Sequence, residues 1–376
     1  MLIVFRVLSG GAAAAVQAVG AGSIADLWDP RERGQAMGIF YLGPLAGPLI
    51  APIIGGGLSQ AWNWRATQWF QAIYGGMTFV IIVLSLPETL ARKVGDTSLP
   101  TVAEGDDAEK AVRPTLTRMS TRQSVKVKTK RYVTVFHRCI IEPLSVLLYL
   151  RFPAILLITF LASVAFGSLY ILNISLQESF STAPYNFKVS IVGLLYIPPS
   201  LGYLAASLIG GKWSDQLMIA SAKKENRYDS TSGKLVFHPE DRLSLNAWLA
   251  AGMFPTALII YGWTVERSVV WPVPIIVNFF FGFGSMIIFG VATTMLTEFM
   301  PKKSSSGVAV NNFMRNVFSS AGGVIAEPLI GAIGNGWLFT VVAVVGWVTA
   351  FGVVWAMRRF GPRWRVAMDE KLSVYN

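Results

Sequence analysis

Residues 272–296 read PVPIIVNFFFGFGSMIIFGVATTML, an apolar run that contains no charged side chain. The hydrocarbon core of a bilayer is about 30 Å thick, so a helix needs roughly 20 apolar residues to cross it. This stretch therefore predicts a transmembrane helix. Eight further runs predict the same, at residues 3–25, 35–57, 69–86, 152–173, 190–210, 246–264, 306–330 and 337–357. We therefore expect an all-α membrane protein.

The composition agrees with that expectation and excludes several kinds of function. Hydrophobic residues make up 53% of the 376 residues and charged residues only 14%, against about 25% in soluble domains. The lone cysteine, Cys139, excludes an intrachain disulfide and a thiolate metal cluster. Both histidines, His137 and His238, lie in polar stretches. We therefore predict no metal, no cofactor and no enzymatic activity.

The basic residues predict how the chain is oriented. The net charge is +11, but the basic residues stand between apolar runs and not along one face, which argues against nucleic-acid binding. If the stretch after residue 86 is cytosolic, 27 of the 32 Lys and Arg residues lie inside the cell. Positive charge gathers on the cytosolic side of membrane proteins. This orientation also places the C-terminus inside.

A long polar segment between the third and fourth runs divides the chain. We predict a three-helix remnant of an N-terminal bundle at residues 1–91, a basic cytosolic linker at 92–151, and a six-helix C-terminal bundle with a cytosolic tail at 152–376. Nine spans then leave the N-terminus outside, although no signal peptide precedes the first run. Residues 25–34 and 297–307 also share an acid, an aromatic, a proline, a basic pair and a glycine. If this is a repeat, three helices are absent upstream, and the parent protein has twelve in two parallel sets of six.

Small residues and prolines recur along the second run at helical spacing. One stripe consists of Gly43, Gly47, Ala51 and Gly55, and the stripe beside it of Pro44, Pro48 and Pro52. Residues four apart share a helix face, and small faces let helix backbones approach closely in lipid. Two interpretations stay open, a tight structural crossing or a bendable helix that rocks against a partner bundle.

Several motifs make the pattern more specific. Residues 38–56, GIFYLGPLAGPLIAPIIGG, resemble the antiporter motif in the fifth helix of drug:proton antiporters of the major facilitator superfamily. Residues 6–13, RVLSGGAA, resemble the fourth-helix motif of that family, with Ser9 where Gln is usual. Residues 210–215, GGKWSD, resemble the second-half copy of the family's cytosolic gating motif. The amino-acid sequence of residues 64–70 is most similar to that of the fungal quinidine-resistance and dityrosine-transporter branch.

The resemblance implies a fold and a set of functional positions. The fold is a helical bundle that contains nine of the family's twelve transmembrane helices, the fourth to the twelfth. The antiporter motif corresponds to Gly43, Pro44, Gly47, Pro48, Pro52, Gly55 and Gly56. The gating loop corresponds to Gly210, Gly211 and Asp215. Asp215 then either takes part in a charge latch between the bundles or serves as a plain helix cap.

Two ionisable residues inside predicted spans are candidates for proton coupling, because a charge within the membrane is costly and functional by default. The resemblance matches Arg6 to the family's proton-coupling arginine; the alternative is a guanidinium that snorkels to the outer head groups. Glu327 is expected to exchange a proton or bind a cation, or else to be solvated at the outer interface. The candidates for the substrate cavity are Asn173, Gln177, Asn278, Asn311 and Arg315.

Together these features predict a secondary active transporter. It would export small organic or cationic compounds, of multidrug or polyamine type, in exchange for protons by alternating access. Its partners are then a small-molecule substrate, protons and the lipid bilayer, and the carrier is a monomer. The plasma membrane is the expected location and the vacuolar membrane the alternative. The alternative function is a truncated, transport-inactive membrane protein or an assembly partner.

Overall fold

The computed structural model describes residues 2–28, 32–85, 145–228, 235–300 and 304–374, and this part of the chain is almost entirely helical. The nine predicted apolar runs coincide with its helices. In chain order the α-helices are α1 (Leu2–Leu27), α2 (Arg33–Ala61), α3 (Trp64–Ser85), α4 (Pro153–Ser181), α5 (Val189–Leu194), α6 (Ile197–Lys224), α7 (Leu245–Glu266), α8 (Pro272–Phe299) and α9 (Ser304–Val374). Short 3-10 helices occupy Val146–Arg151 and Pro239–Arg242.

Local sequence explains where several of these helices begin. The helices α4, α6 and α8 each carry a proline in their first turn. Proline is suited to that position because its fixed φ is helical and its missing N–H has no helical acceptor there. The run at residues 190–210 becomes two helices, α5 and α6, which are separated at Leu195 and Tyr196.

Six helical segments of the described chain are long and apolar enough to cross a membrane. They are Trp64–Leu84, Pro153–Ser181, Val189–Lys224, Leu245–Glu266, Pro272–Phe299 and Ser304–Met368. The last one has 65 residues, roughly 98 Å of helix, which is enough to cross the bilayer twice. It is interrupted at Gly334, whose φ is +78°, a conformation that glycine adopts without steric cost. With 26 and 29 residues, α1 and α2 also exceed the length of one crossing.

One hydrophobic core joins α4, α6, α7, α8 and both halves of α9. Its tightest helix crossing is between α6 and α8, where both helices present glycine. A Cβ built on Gly202 would lie 2.2 Å from the carbonyl oxygen of Phe279, and a Cβ on Gly282 would lie 2.2 Å from that of Pro199. Small residues at such crossings let two backbones touch, which is how helices gain packing energy in lipid.

The three N-terminal helices lie against this core. Helix α2 packs against α5, α6 and α8, and α1 packs against α9. Helix α3 packs against α2, and its apolar side chains are exposed, with Trp69 72% and Leu84 80% accessible. In water such a surface would be unfavourable. It is the surface expected of a helix that lipid surrounds.

By compactness the chain divides into a helical body, Met1–Ser85 with Tyr149–Asn376, and a separate segment, Leu86–Leu148. The predicted linker at residues 92–151 falls mostly in residues 86–144, outside the described chain. The division into bundles at residues 1–91 and 152–376 stays a prediction.

Candidate functional site

A buried network of charges lies at the end of the helical body that we predict to face the cytosol. Its centre is Arg242, whose side chain is fully buried. One guanidinium nitrogen lies 2.7 Å from Asp215 Oδ1, and another lies 2.7 Å from Glu298 Oε1. Arg242 Nη1 also donates to the hydroxyl of Ser214 at 3.3 Å. Buried carboxylates need such partners, because an isolated charge away from water is very costly.

The network extends from α6 to α2. The backbone N–H of Gln35 donates to Asp215 Oδ2 at 3.0 Å. Gln35 lies in the first turn of α2, where backbone N–H groups have no helical acceptor. The carboxylate of Asp215 therefore supplies an acceptor to the start of α2, and its negative charge complements the positive end of the helix dipole.

The titration of Arg242 follows from these partners. Burial alone would lower the pKa of the Arg242 guanidinium, but Glu298 and Asp215 outweigh burial and hold that pKa above its ordinary value. The guanidinium thus keeps its charge at every physiological pH. Arg242 is therefore a permanent cation that is shared by two acids, Asp215 on α6 and Glu298 on α8.

Close backbone contact accompanies the charges. The hydroxyl of Ser207 on α6 donates to the carbonyl oxygen of Gly38 on α2. A Cβ on Gly38 would lie 2.5 Å from the carbonyl oxygen of Ser207, so a larger residue would push α2 away from α6. Beside this crossing, Met37 and Val308 are fully buried against each other, and they join α2 to α9.

Two further ion pairs lie beside the network, on the residues that precede Arg242. Arg365 on α9 lies 2.9 Å from Glu240, and Arg227 lies 2.8 Å from Asp241. The pKa of the Glu240 carboxyl is raised by burial, against the lowering effect of Arg365. The pKa of the His238 imidazole is lowered by burial, and Arg365 and Arg227 lower it further. The pair of Arg365 and Glu240 attaches the α6–α7 connection to the C-terminal end of α9, and the pair of Arg227 and Asp241 lies within that connection.

The opposite end of the body is held by neutral hydrogen bonds and one carboxylate. Ser175 Oγ donates to Asn335 Oδ1 at 2.6 Å and lies 3.1 Å from the hydroxyl of Tyr261. Glu266 Oε2 accepts the backbone N–H of Asn335 at 2.7 Å and that of Gly336 at 3.3 Å. Glu266 thereby caps the second half of α9, residues 335–374, just after the break at Gly334.

The structure places the predicted gating residues in a helix and not in a loop. Gly210, Gly211 and Asp215 all lie within α6, which continues to Lys224. The prediction of a loop was wrong because the helix extends beyond its apolar part, and Lys223 and Lys224 favour the negative end of the helix dipole. Asp215 therefore does not begin a loop, and it serves as an acceptor for α2.

The antiporter-motif residues contact their surroundings mainly at the outer end of α2. A Cβ on Gly56 would lie 3.5 Å from Ser190 Cα, and the carbonyl oxygen of Pro52 lies 2.9 Å from the Cβ position of Gly193. No described atom comes within 4 Å of a Cβ built on Gly43, Gly47 or Gly55. The side chains of Pro44 and Pro48 lie outside the described set. The close approach that the stripe predicted is thus found at Gly38 and Gly56.

The candidates for proton coupling and substrate binding are spread over four helices, α1, α4, α8 and α9. Glu327 is exposed on α9, and the side chain of Arg6 on α1 lies outside the described set. Asn173 on α4 is half-buried, with its carbonyl oxygen accepting from the hydroxyl of Tyr196 at 3.0 Å, and Gln177 is exposed.

The other three substrate-cavity candidates are buried. Asn278 on α8 and Asn311 on α9 are fully buried, and Arg315 on α9 is 8% exposed. The Arg315 guanidinium carbon lies 4.1 Å from the centre of the Phe166 ring and 4.6 Å from that of Phe289.

Sequence reasoning missed Arg242 and Glu298. Arg242 was counted only among the loop cations that set the orientation. Glu298 belongs to the repeated stretch 297–307, but nothing in that stretch identified its partner. The usable signal was an acid at the end of a predicted span, which needs a cation if it is buried.

Comparison with known proteins agrees with the fold. A model of the Major Facilitator Superfamily matches residues 1–323. The chain is 46% identical over 354 residues to "MFS transporter OpS2" of Beauveria bassiana, which covers 94% of this chain and 97% of that protein. It is 35% identical over 457 residues to "MFS antiporter QDR3" of Candida albicans, covering 95% of this chain and 64% of that protein. It is 27% identical over 491 residues to "Quinidine resistance protein 3" of Saccharomyces cerevisiae, covering 98% of this chain and 70% of that protein.

These matches confirm the resemblance that the motifs indicated, including its fungal branch. The long apolar helices independently identify a multi-pass integral membrane protein. The chain belongs to the Major Facilitator Superfamily, whose members are membrane carriers of small molecules and not enzymes.

Proposed function

We propose that the protein exports small organic compounds in exchange for protons by alternating access. In such a carrier two groups of helices rock about a central cavity, so that the cavity opens to one side at a time. We further propose that Asp215, Arg242 and Glu298 form an inner latch, which holds α2 against α6 and α8 while the cytosolic side is closed.

The observation that carries this proposal is the contact of Asp215 with Gln35. A single carboxylate accepts from α2 at 3.0 Å and from Arg242 at 2.7 Å. Arg242 and Glu298 lie in the α6–α7 connection and at the end of α8. When α2 moves away, Asp215 keeps its ion pair with Arg242 and loses only the contact to α2. The latch can therefore open without leaving an unpaired buried charge.

The names of relatives support the transport class. One relative from Candida albicans is called an antiporter, and one from Floropilus chiversii, 30% identical over 371 residues, is called "Efflux pump radE". Exchange against protons and export at the plasma membrane, with the vacuolar membrane as the alternative, are our proposals for this chain.

Purified full chain in sealed vesicles tests the proposal. A pH gradient is imposed, a pH-sensitive dye reports proton movement, and quinidine and a fluorescent organic anion serve as substrates in parallel. We expect substrate movement that depends on the gradient and proton movement in the opposite direction. Movement that persists unchanged after the gradient is collapsed would refute proton coupling.

The latch is tested with two matched aspartates. D215N removes the acid that connects α6 to α2, whereas D241N removes an acid that also pairs with an arginine, Arg227, at 2.8 Å without contacting α2. We expect D215N to slow exchange by about tenfold, the size of a typical coupling free energy, and D241N to change it by less than about twofold. Equal effects of the two substitutions would exclude the latch.

A further inference from the structure

Helix α9 continues beyond the point at which it leaves the hydrocarbon core. Trp337 and Trp355 in its second half are 61% and 58% exposed, and they lie 18 residues, about 27 Å, apart along the helix. Exposed tryptophans gather at the two interfaces of a bilayer, whose hydrocarbon core is about 30 Å thick. These two side chains therefore mark the outer and inner edges of the core. The helix runs on to Val374, and we call residues 358–374 the inner extension.

The four arginines of the inner extension divide by helix face. Arg365 lies 2.9 Å from Glu240, and Arg358 lines a polar cavity of about 200 Å³ together with the same acid. Arg359 and Arg363 are exposed. Neither of these two forms an ion pair with an acid in the described part of the chain. Two arginines thus face the α6–α7 connection, and the other two face away from it.

Arg359 and Arg363 stand on the face that α9 presents to lipid. Val341, Val348 and Trp355 follow one another at intervals of seven residues, which keeps them on one helix face. All three are largely exposed, Val348 by 71%. Arg359 lies four residues beyond Trp355 and continues that row, and Arg363 follows one turn later. The lipid-facing side of the helix therefore ends, just past the inner edge of the core, in two cations.

These two cations repel each other. Residues four apart are neighbours on a helix surface, and like charges at that spacing destabilise the helix. The next acid on this face, Glu370, follows Arg363 by seven residues, about 10 Å of helix. A phosphate group between the two guanidinium groups would remove the repulsion, because each guanidinium can donate two parallel hydrogen bonds to it.

We infer that the face of Arg359 and Arg363 binds the head groups of anionic phospholipids in the inner leaflet. Charge complementarity carries the inference, because the cytosolic leaflet holds the anionic lipids and basic clusters just inside a membrane helix attract them. Val366 lies on the same face and is 64% exposed, which suits contact with the interface of a membrane. Such binding is independent of what the carrier transports.

A lipid bound at this face also affects the inner network. On the opposite face, Gly361 packs so closely on Glu240 that a Cβ would lie 2.7 Å from Glu240 Cγ, and Arg365 pairs with the same acid. Glu240 lies two residues before Arg242. Head groups that hold the inner extension at the membrane surface therefore stabilise the α6–α7 connection. We expect bound lipid to raise the melting temperature.

The test compares two pairs of exposed arginines. R359Q/R363Q removes both cations of the inner face. R65Q/R267Q is the matched control, because it removes two exposed arginines that we predict to lie on the outer side. Native mass spectrometry of the purified full chain in detergent counts bound phosphatidylserine and phosphatidylcholine. The melting temperature is recorded in mixed micelles with each lipid and without lipid.

We expect the wild type to prefer phosphatidylserine, to gain melting temperature from it, and to lose both effects as the salt concentration rises. In R359Q/R363Q the affinity for phosphatidylserine should fall about thirtyfold, because each basic residue near an anionic surface contributes about a factor of five. R65Q/R267Q should change that affinity by less than about twofold, because charges across the membrane are screened. R359K/R363K keeps the charges but not the planar donors, so it should lie between the wild type and R359Q/R363Q.

Three outcomes would overturn the inference. The first is a wild type that binds phosphatidylserine and phosphatidylcholine equally. The second is an equal loss of affinity in R359Q/R363Q and R65Q/R267Q, because binding would then follow net charge alone. The third is an equal gain of melting temperature from inorganic phosphate or inositol hexakisphosphate, which would assign the face to a soluble anion.

The folding of the variants is checked without lipid. R359Q/R363Q should melt at or above the temperature of the wild type, because the repulsion between the two cations is removed. The single variants R359Q and R363Q should each lose about fivefold in affinity for phosphatidylserine. They decide the question by themselves if the double variant does not fold, and an unchanged affinity in both would contradict the binding face.

Discussion

The two ends of the helical body are held by different kinds of contact. At the inner end, charged groups join α2 to α6 and α8 through Asp215, Arg242 and Glu298. At the outer end, Ser175, Tyr261 and Asn335 form neutral hydrogen bonds within α4, α7 and α9. The inner contacts connect helices of the N-terminal and C-terminal parts of the chain, and the outer hydrogen bonds lie within the C-terminal part alone.

This difference suggests which contacts change during transport. A contact between two rocking groups of helices has to break in every cycle, and a contact within one group can persist. Charged groups that stay paired inside one group, as Asp215 and Arg242 do, allow the remaining contact to break at small cost. We therefore expect the contacts of α2 at the inner end to control conformation, and the outer hydrogen bonds to affect stability without affecting conformation.

Removal of Arg242 should have the largest effect. In R242Q the carboxylates of Asp215 and Glu298 stay buried without their cation, and breaking a buried pair in this way costs about 3–5 kcal/mol. We expect a large fall in melting temperature of the detergent-solubilised protein, partly restored in the triple variant R242Q/D215N/E298Q, which has no buried charge left at this position. A melting temperature that is unchanged in R242Q would show that the network is not buried in solution.

The next largest effect should come from a larger residue at Gly38, and it should change the balance between conformations. A Cβ in G38A would lie 2.5 Å from a backbone oxygen of α6, and such overpacking costs about 1–3 kcal/mol. We expect G38A to favour the state in which α2 and α6 are apart, measured as increased labelling of a cysteine at Gln35 from the cytosolic side. G43A is the matched control on the same helix, because no described atom lies within 4 Å of its Cβ. Equal labelling in both variants would contradict the close contact.

Neutralising Glu266 should have a smaller effect, limited to stability. E266Q weakens the acceptor for the backbone N–H groups of Asn335 and Gly336, and loss of a helix cap costs about 1 kcal/mol. We expect a modest fall in melting temperature and unchanged labelling at Gln35. A change in labelling as large as that of G38A would mean that the outer contacts also control conformation.

The smallest effect should be a dependence of stability on pH at the inner end. The pKa of His238 is lowered by burial and by Arg365 and Arg227, with Asp241 and Glu225 acting in the opposite direction. The folded state then favours the neutral imidazole, so the contribution of His238 is complete above the ordinary histidine pKa of about 6.5 and is lost as pH falls below it. We expect the melting temperature of H238N to fall less than that of the wild type as the pH is lowered from about 7 to about 5.

The carboxyl of Glu240 provides the control for that experiment. Burial raises its pKa, so its contribution to stability is complete below the ordinary glutamate pKa of about 4.3 and declines as pH rises through the raised value. E240Q should therefore change the slope in the opposite direction to H238N. A pH profile that neither variant alters would assign the dependence to other groups.

Sequence patterns predicted the helices well and their partners poorly. The run at residues 272–296 identifies a membrane helix by itself, because its composition excludes water on every side. The motif at 210–215 singled out Asp215. Its role as an acceptor for Gln35 depends on packing between two helices, because the two residues are 180 positions apart in the chain. The stripe of Gly43 and Gly47 predicted a close approach by its spacing alone. Spacing does not say which face meets another helix, and the close contacts formed at Gly38 and Gly56 instead.

The amino-acid sequence by itself determined that this chain lies in a membrane, which segments are helical, and to which family it belongs. Those properties depend on local composition and on the order of short motifs, and each can be read within one segment. Only the tertiary structure decided that Arg242 joins Asp215 to Glu298 and that Arg315 lies in the corner between Phe166 and Phe289. A buried charge is tolerated only where distant parts of the chain bring a counter-charge or an aromatic ring to it, and that meeting is a property of the packed helices and not of any one of them.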